Sequence, residues 1–490
     1  MPLRLLWLIP LFVLAILSCN PTGQDQQDRP NILFIAVDDL RPELNCYGKS
    51  HIHSPNIDHL AARGILFNRN YCQVPVCGAS RASLLSGVRP TSSRFVDYST
   101  RLEEDFPGVV SLPEYFKSHG YTTVSRGKVF HHANDQPDAW SEPPWSPAPV
   151  NPEYGWFDYA DSNSLAIIRQ IQSANPDAKN TAIRGPAFEF PDVADTVYKD
   201  GKLAQKGMED LERLAKQNNP FFLAIGFWKP HLPFNAPRKY WDMYSGDHLE
   251  MSPNPYIPEN APKQAIHNSG ELRNYGLIPK SGPVSRDTAR LLTQGYYACI
   301  SYTDAQIGKL LDMLDSLKLR ENTIVVLWGD HGWNLEDHTL WCKHANFETS
   351  MRAPLIISAP GLTHGQMTNA LTEFIDIYPT LCELAGLEKP DHLDGTSLLP
   401  LITNPQEPFK DAIYSRFHRG ESIKTKDYVY TEWIDPKQSE IVARMLYDHR
   451  TDSLENYNVA EDPRYSEITM HLSKQLEERR RKSEAKRAPE

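Results

Sequence analysis

The stretch NILFIAVDD, residues 31–39, decides the fold. Six apolar residues follow Asn31 without interruption, and Asp38 and Asp39 come directly after them. A short run that is apolar throughout, rather than alternating, is typical of a strand buried on both faces of a parallel sheet. Polar residues directly after such a strand lie at its carboxyl end, where open α/β sheets bind their ligands. The stretch therefore predicts a central parallel strand that brings two carboxylates to a binding edge.

Three further stretches repeat this pattern along the chain. They are Tyr121–Ser125, Phe221–Phe227 and Thr323–Trp328. Helical patterns lie between them, such as the one that begins at Ser54 and Pro55, and the apolar stripe over Ala298–Leu319. Strands that alternate with helices predict an α/β fold with a doubly wound, mostly parallel sheet.

The length and composition predict more than one domain. The chain has 490 residues, 40% of them hydrophobic and 23% charged, which is typical of a globular protein with at least two domains. We expect a catalytic domain over residues 29–405 and a smaller α+β subdomain over residues 406–490. That second part holds three short strand patterns, Ala412–Arg416, Asp427–Trp433 and Ala443–Tyr447, and a charged terminal helix, Glu467–Lys486.

Two long stretches, around residues 132–195 and 235–287, are rich in Pro, Asn and Trp and show little periodicity. We interpret them as loops over the sheet, and loops of this length in a compact domain usually carry function.

The net charge of −11 argues against a nucleic-acid partner, because proteins that hold polyanions by diffuse attraction are basic. An anionic substrate would need a local cluster of cationic side chains.

The N-terminus predicts export. Arg4 precedes an apolar run over residues 5–17 that is too short to span a bilayer but suits a signal peptide over residues 1–18. The run ends in Ser18-Cys19, which is similar to a bacterial lipobox, so we predict lipidation of Cys19 and a polar tether over residues 19–28. The alternative is an ordinary signal peptide. Either way we expect a periplasmic or outer-membrane-anchored protein, in contact with the membrane only through the lipid.

Each of the four strand patterns is followed by charged or imidazole side chains. The residues are Asp38 and Asp39, then Lys128 and His131, then Lys229 and His231, then Asp330 and His331, with Lys343 further on. Because the carboxyl ends of parallel strands meet at one edge, these groups are expected to lie together. The carboxylates suit a hard cation, calcium or magnesium, more than zinc. Lys and His suit an anion held against that cation, and His also serves as acid or base.

The most specific motif is Cys77-Gly78-Ala79-Ser80-Arg81, followed by Leu84-Leu85-Ser86-Gly87. A helix over residues 80–85 would turn its amino end, which favours anions, toward Cys77. The motif resembles the sulfatase signature C-x-[PA]-S-R, in which a maturation enzyme oxidises the cysteine to formylglycine (3-oxoalanine). Ala79 stands for the commoner Pro, and Ser86 for the usual Thr.

The resemblance extends over nearly the whole chain after residue 29, and it is greatest to the iduronate-2-sulfatase group. The stretches that carry it are residues 37–42 (VDDLRP), 54–58 (SPNID), 127–131 (GKVFH), 229–234 (KPHLPF), 330–333 (DHGW) and 446–448 (LYD). The alkaline-phosphatase-like fold of type I sulfatases is therefore expected here.

This resemblance also implies roles for single residues. Asp38, Asp39, Asp330 and His331 would bind calcium together with the modified Cys77. Arg81 would hold the oxygens of the formylglycine hydrate, and Lys128 and Lys343 would neutralise the sulfate. His231 would donate a proton to the leaving sugar oxygen, and His131 would remove the second hydrate proton so that sulfate is expelled.

The substrate is expected to be a sulfated oligosaccharide, with a 2-O-sulfated uronic acid at the cleaved position. Heparan, chondroitin and dermatan sulfate and algal ulvan are its candidate sources. Arg94, Asp97 and Trp333 are candidates for sugar binding, and each of them also has a purely structural interpretation. Two other function classes are open: a phosphohydrolase of the same superfamily, and a glycan-binding surface lipoprotein without catalysis. The second of these would not need nucleophile, metal carboxylates and acid–base groups together.

Overall fold

The computed structural model describes residues 29–155, 157–177, 183–244, 249–435, 437 and 440–486. The predicted signal peptide, the tether and Cys19 lie outside the described residues. Within the described ranges, no helix is both long enough and apolar enough to cross a membrane.

Fifteen strands and thirteen α-helices are found in the described part of the chain. The strands are β1 (Asn31–Val37), β2 (Ile65–Tyr71), β3 (Thr122–Gly127), β4 (Phe188–Glu189), β5 (Phe221–Phe227), β6 (Phe234–Asn235), β7 (Thr323–Gly329), β8 (Asn334–Leu335), β9 (Trp341–Cys342), β10 (Leu355–Ser358), β11 (Gln366–Glu373), β12 (Ala412–Phe417), β13 (Gly420–Thr425), β14 (Tyr428–Ile434) and β15 (Ile441–Asp448). The helices are α1 (Pro55–Arg63), α2 (Cys77–Ser86), α3 (Leu102–Asp105), α4 (Leu112–Ser118), α5 (Ser162–Ala174), α6 (Lys199–Leu214), α7 (Arg238–Trp241), α8 (Gly270–Arg273), α9 (Arg286–Ser316), α10 (Glu348–Met351), α11 (Ile377–Leu384), α12 (Leu399–Thr403) and α13 (Ser466–Ala485).

The main sheet has seven strands in the order β11-β2-β10-β7-β1-β5-β3. All neighbours pair in parallel except β10, which is antiparallel to both β2 and β7. At the centre, Phe34 of β1 lies beside Ala224 of β5 and Val326 of β7. The predicted α/β fold with a mostly parallel sheet is confirmed.

Both faces of this sheet are covered, as the uninterrupted apolar run of β1 predicted. Leu33, Ile35 and Val37 belong to one buried cluster, together with residues of α1, α6 and α9. The alternate residues of β1, which include Phe34, belong to a second buried cluster on the other face of the sheet, together with residues of α2, α4 and α11. Because alternate residues of one strand enter two cores, the sheet is doubly wound.

Several elements differ from the sequence interpretation. The strands β2, β10 and β11 form one side of the sheet and were not predicted. Helix α9 begins at Arg286, well before the predicted start at Ala298. The stretch over residues 132–195 is not all loop, because it contains the 13-residue helix α5, whose Asp161 accepts hydrogen bonds from the amides of Asn163 and Ser164.

The C-terminal part forms the smaller subdomain that the sequence predicted. Its strands pair antiparallel in the order β12-β13-β14-β15, and β13 was missed in the prediction. Leu472 and Leu476 of α13 pack against Tyr430 in its small core. The subdomain is joined to the larger domain through hydrogen bonds such as that from the Arg416 amide to the Gln73 carbonyl, at 2.9 Å.

Candidate active site

The carboxyl ends of the central strands bring the predicted residues into one buried cluster. Asp38 and Asp39 follow β1, and Asp330 and His331 follow its neighbour β7. The Asp39 amide donates a hydrogen bond to Asp330 Oδ1 at 2.9 Å, which joins the two strand ends directly. All four side chains are fully buried. The sheet edge is thus the place where the charged residues meet, as the strand patterns indicated.

The backbone around this cluster departs from ordinary conformations. Asp39, Cys342 and His344 have φ of 61°, 68° and 75°, in the left-handed region that non-glycine residues rarely adopt. Two of these residues flank Lys343 on either side. Such conformations cost free energy and persist where the surroundings hold a side chain in a required place. These conformations agree with the prediction that Asp39 and Lys343 are held in place for a function.

Helix α2 carries the Cys77 motif and begins at the cysteine itself, three residues earlier than predicted. Its first residue, Cys77, belongs to the cluster, and every residue of the helix is buried. Gly78 has no room for a side chain, since a Cβ there would lie 2.7 Å from the Tyr98 carbonyl oxygen and 2.8 Å from that of Asp97. At the other end Gly87 has φ of 68° and ends the helix.

The Cys77 sulfur lies among the predicted metal-binding groups. It is 3.3 Å from His331 Nε2 and 3.8 Å from Asp39 Oδ1. Two overlapping sets of side chains have ligand atoms within 4.8 Å of one another, and both sets include Cys77: Asp38, Asp39, Cys77 and His231, and Cys77, Asp330 and His331. Together the two sets hold three carboxylates and two imidazoles beside Cys77, and carboxylate oxygens of this kind fit a hard divalent cation.

Three cationic side chains neutralise part of this cluster. Arg81 reaches two carboxylates, with Nη2 at 3.2 Å from Asp38 Oδ1 and Nε at 2.9 Å from Asp330 Oδ2. Lys128 Nζ is 2.5 Å from Asp38 Oδ2, and Lys343 Nζ is 3.0 Å from both oxygens of Asp39. Arg81 thus contacts two of the carboxylates that surround Cys77.

The two neighbouring aspartates differ in their affinity for protons. Although burial opposes it, the charges of Lys128, His231 and Arg81 hold the pKa of Asp38 well below its ordinary value. Burial, with the negative charges of Cys77 and Asp38, raises the pKa of Asp39 well above its ordinary value in spite of Lys343. The protein's own cations therefore do not fully compensate the carboxylates, and this imbalance agrees with a cation-binding role.

His231 is in contact with a carboxylate that the sequence interpretation did not identify. Its Nε2 lies 3.1 Å from Glu271 Oε1, and the same oxygen lies 2.8 Å from Lys343 Nζ. Burial and Lys343 lower the pKa of His231 to about 4. Glu271 lies on α8, in the stretch that was interpreted as aperiodic loop. No strand or motif precedes it, so the sequence carried no signal for it.

The second predicted imidazole, His131, lies beside Lys128 and the ring of His132, with ring centroids 4.8 Å apart. Burial and the charge of Lys128 lower the pKa of His131 to about 2. Its Nδ1 atom is buried and has no hydrogen-bond partner among the residues that the structure describes. A neutral imidazole of this kind is available to accept a proton.

The three predicted sugar-binding residues do not all lie at the site. Trp333 is buried, stacked on Tyr296 with ring centroids 6.0 Å apart, and its ring lies 5.0 Å below Lys343 Nζ. It supports the lysine from beneath and is not exposed to a sugar. The Asp97 side chain accepts hydrogen bonds from the amide and hydroxyl of Ser99, and no contact with the cluster is found among the described residues.

Arg94 is placed away from the cluster, against the end of α13. Its guanidinium donates to the carbonyl oxygens of Arg89 at 2.9 Å and Lys486 at 3.0 Å, and it lies 4.5 Å from the centroid of the Phe106 ring. With its donors used by backbone carbonyls and only 6% of its surface exposed, Arg94 has a structural role. The structure therefore does not support Arg94 as the group that binds a uronate carboxylate.

Comparison with known proteins gives a consistent result. The family model described as Sulfatase matches residues 30–387, and that described as N-sulphoglucosamine sulphohydrolase, C-terminal, matches residues 336–482. The iduronate 2-sulfatase of Mus musculus is 31% identical over 552 residues, covering 95% of this chain and 97% of that protein. An ulvan-active sulfatase of Formosa agariphila is 29% identical over 497 residues, covering 95% of this chain and 85% of that protein.

Solved structures share the fold. One, determined in complex with its substrate D-glucosamine-2-N,6-O-disulfate, superposes with a TM-score of 0.73 at 20% identity, covering 94% of this chain and 99% of that one. A phosphonate monoester hydrolase of Agrobacterium radiobacter superposes with a TM-score of 0.70 at 22% identity, covering 93% of this chain and 96% of that one.

Proposed function

Because the chain belongs to the sulfatase family and is a sulfuric ester hydrolase, we propose that Cys77 is converted to formylglycine and carries the reaction. The observation that supports this most is the position of Cys77, at the amino end of a buried helix and 3.3 Å from His331 Nε2. As a thiol the residue is unsuited to attack, because burial raises its pKa to about 12. A nucleophilic cysteine has to be a thiolate, which this site disfavours. An aldehyde hydrate at the same position does not need a thiolate to act as nucleophile.

Calcium is the proposed metal. Asp38, Asp39, Asp330 and His331 would hold it with the modified Cys77, since carboxylate oxygens are the ligands that calcium prefers. When bound, the ion would supply positive charge beside the sulfate oxygens. Lys128 and Lys343, which now lie against Asp38 and Asp39, would then turn donors toward the sulfate.

The chemistry requires three proton transfers by the protein. One hydroxyl of the formylglycine hydrate gives its proton to one of the surrounding carboxylates and attacks sulfur, and the bond between sulfur and the sugar oxygen breaks. His231 Nε2, whose proton faces Glu271 Oε1, gives that sugar oxygen a proton. His131, neutral at physiological pH because its pKa is lowered to about 2, then accepts the proton of the second hydroxyl. The carbon–oxygen bond to sulfate breaks, the aldehyde forms again, and water restores the hydrate.

For the substrate we propose a 2-O-sulfated uronic acid at the end of an oligosaccharide from a glycosaminoglycan or from ulvan. The support is the similarity to iduronate 2-sulfatase and to an ulvan-active sulfatase over most of the chain. The protein would be exported through the leader over residues 1–18, either free in the periplasm or anchored by lipid on Cys19.

The first experiment measures hydrolysis of an aryl sulfate and an aryl phosphate by the full chain, with and without calcium. We expect calcium-dependent cleavage of the sulfate in preference to the phosphate. Intact mass should show Cys77 about 18 Da lighter than cysteine, as formylglycine requires. A preference for phosphate would favour the phosphohydrolase, and no turnover of either ester would favour a binding protein. Defined sulfated disaccharides then test the uronate, and preference for a 6-O-sulfated hexosamine would reject it.

A further inference from the structure

Glu271 is a carboxylate that lies among the catalytic groups without serving any of the roles assigned above. Its Oε1 lies 2.8 Å from Lys343 Nζ and 3.1 Å from His231 Nε2, and its Oε2 is 4.0 Å from His344 Nδ1. The side chain is 14% exposed. Burial opposes ionisation, but Lys343 and His231 hold the pKa of Glu271 well below its ordinary value. A negative charge is therefore fixed where an anionic substrate has to bind.

The backbone holds this carboxylate in place from both sides. Ser269 accepts a hydrogen bond from the Trp341 amide at 2.9 Å, and His267 Nε2 lies 3.1 Å from the Lys343 carbonyl oxygen. The guanidinium of Arg273 donates to the carbonyls of Asn268, Pro279 and Gly282, at distances of 2.9, 2.6 and 2.6 Å. These hydrogen bonds tie segment 267–273 to the backbone that carries Lys343, and they hold Glu271 at the site.

The fixed charges around the sulfate position can be counted from the contacts. Three cations, Lys128, Lys343 and Arg81, face four carboxylates, Asp38, Asp39, Asp330 and Glu271. The protein alone carries an excess of one negative charge, and a divalent cation would change this into an excess of one positive charge. Without Glu271, the site with its divalent cation bound would carry an excess of two positive charges.

We infer that Glu271 is a specificity-determining residue that matches the charge of the site to singly charged esters and disfavours doubly charged ones. The inference rests on the proposed function and deepens it. A sulfate monoester carries one negative charge, whereas a phosphate monoester carries about 1.5 to 2 near pH 7. Inorganic sulfate, the product, is also doubly charged. The same carboxylate would therefore disfavour phosphate monoesters as substrates and weaken retention of the product.

The test compares Glu271→Gln, which keeps the shape and removes the charge, with Glu271→Asp, which keeps the charge. Glu259→Gln is the matched control, because Glu259 is an exposed glutamate of the same long segment whose backbone alone makes its hydrogen bonds to Asn456 and Asn458. For each protein, kcat/KM is measured on an aryl sulfate and on the corresponding aryl phosphate. Binding of inorganic sulfate to the calcium-loaded protein is measured by calorimetry.

For Glu271→Gln we expect the ratio of phosphate to sulfate kcat/KM to rise about tenfold, and inorganic sulfate to bind about tenfold more tightly, as one charge removed near the anion implies. Glu271→Asp and Glu259→Gln should keep the wild-type ratio and affinity. Equal losses on both esters in Glu271→Gln, with unchanged or weaker sulfate binding, would overturn the inference and leave a structural residue. Absence of sulfate-ester turnover in the wild type would instead reject the proposed function.

Discussion

Two buried groups of charged side chains lie where strands of the main sheet end, and their composition differs. The first, the edge cluster, consists of Asp38, Asp39, Asp330, Glu271, Lys128, Lys343 and Arg81. The second, the joint cluster, consists of Glu373, Asp376, Arg89 and Lys410, where the large domain meets the C-terminal subdomain. In the joint cluster Lys410 Nζ is 2.7 Å from Glu373 Oε2 and 2.6 Å from Asp376 Oδ1.

The joint cluster is balanced, with two cations for two carboxylates and further hydrogen bonds from backbone amides. The Tyr414 amide donates to Glu373 at 3.1 Å, and the Thr396 amide donates to Asp376 at 2.8 Å. Glu373 is ionised, since Arg89 and Lys410 outweigh the effect of burial and lower its pKa to about 2. The edge cluster has four carboxylates and only three cationic side chains. The joint cluster, whose charges cancel, connects two parts of the fold, whereas the edge cluster has an excess negative charge that a bound cation would compensate.

The substitution with the largest expected effect removes the proposed reactive atom beside the edge cluster and leaves the charges of that cluster unchanged. Cys77→Ala should lower kcat/KM on an aryl sulfate by about 10⁴-fold or more, because the proposed hydrate can no longer form. The melting temperature should change little. Cys382→Ala, at another buried cysteine, is the control and should keep its activity. Near wild-type turnover in Cys77→Ala would refute the assignment of the nucleophile.

The second prediction tests the proposed calcium site. Asp330→Asn keeps the shape of the side chain and removes one charge of the edge cluster, so kcat/KM should fall roughly a thousandfold. Calcium should raise the melting temperature of the wild type, because an ion that binds only the folded state stabilises it, and this rise should disappear in the variant.

Glu373→Gln removes the equivalent charge from the joint cluster and is the matched control. Its melting temperature should fall, but its response to calcium should stay. If both variants respond to calcium as the wild type does, the ion binds elsewhere. Metal analysis accompanies the melting curves, because a deeply buried ion can resist chelation.

The smallest effect concerns the stability that the joint cluster supplies. Although burial opposes it, Arg89 and Lys410 hold the pKa of Glu373 below its ordinary value, so its ionisation stabilises the fold at neutral pH. That contribution is complete above pH 4.5 and is lost as the pH falls toward 2. The difference in unfolding free energy between wild type and Glu373→Gln should therefore narrow in acid. A difference independent of pH would mean that the charge of Glu373 does not stabilise the fold.

The sequence predicted best what one strand and its next residues determine. The bounds of β1 and β5 agree with the prediction residue for residue, because both strands carry an uninterrupted apolar run and are buried on both faces. Asp38, Asp39, Asp330 and His331 were found for the same reason, since each directly follows such a strand. The metal-binding and catalytic roles of these residues stay predictions until they are measured.

What the sequence did not predict depends on contacts between distant segments. β2 reads ILFNRNY, with polar residues in its middle, and it becomes a strand by pairing with β10 and β11, about 290 and 300 residues later in the chain. Arg94 looked available because nothing in its surroundings in the sequence shows that the end of α13 covers it. Glu271 was missed because a short helix in an aperiodic segment brings it to Lys343.

The pairing of β1 has a consequence for the order of events during synthesis. Its two neighbours, β5 and β7, begin at Phe221 and Thr323, so the centre of the sheet cannot close until most of the polypeptide has left the ribosome. Cys77 is only 3% exposed once the sheet has closed. The proposed oxidation of Cys77 therefore requires that its enzyme reach the nascent or unfolded chain. Because β1 can pair with β5 and β7 only after these later strands have been synthesised, the topology provides time for that encounter.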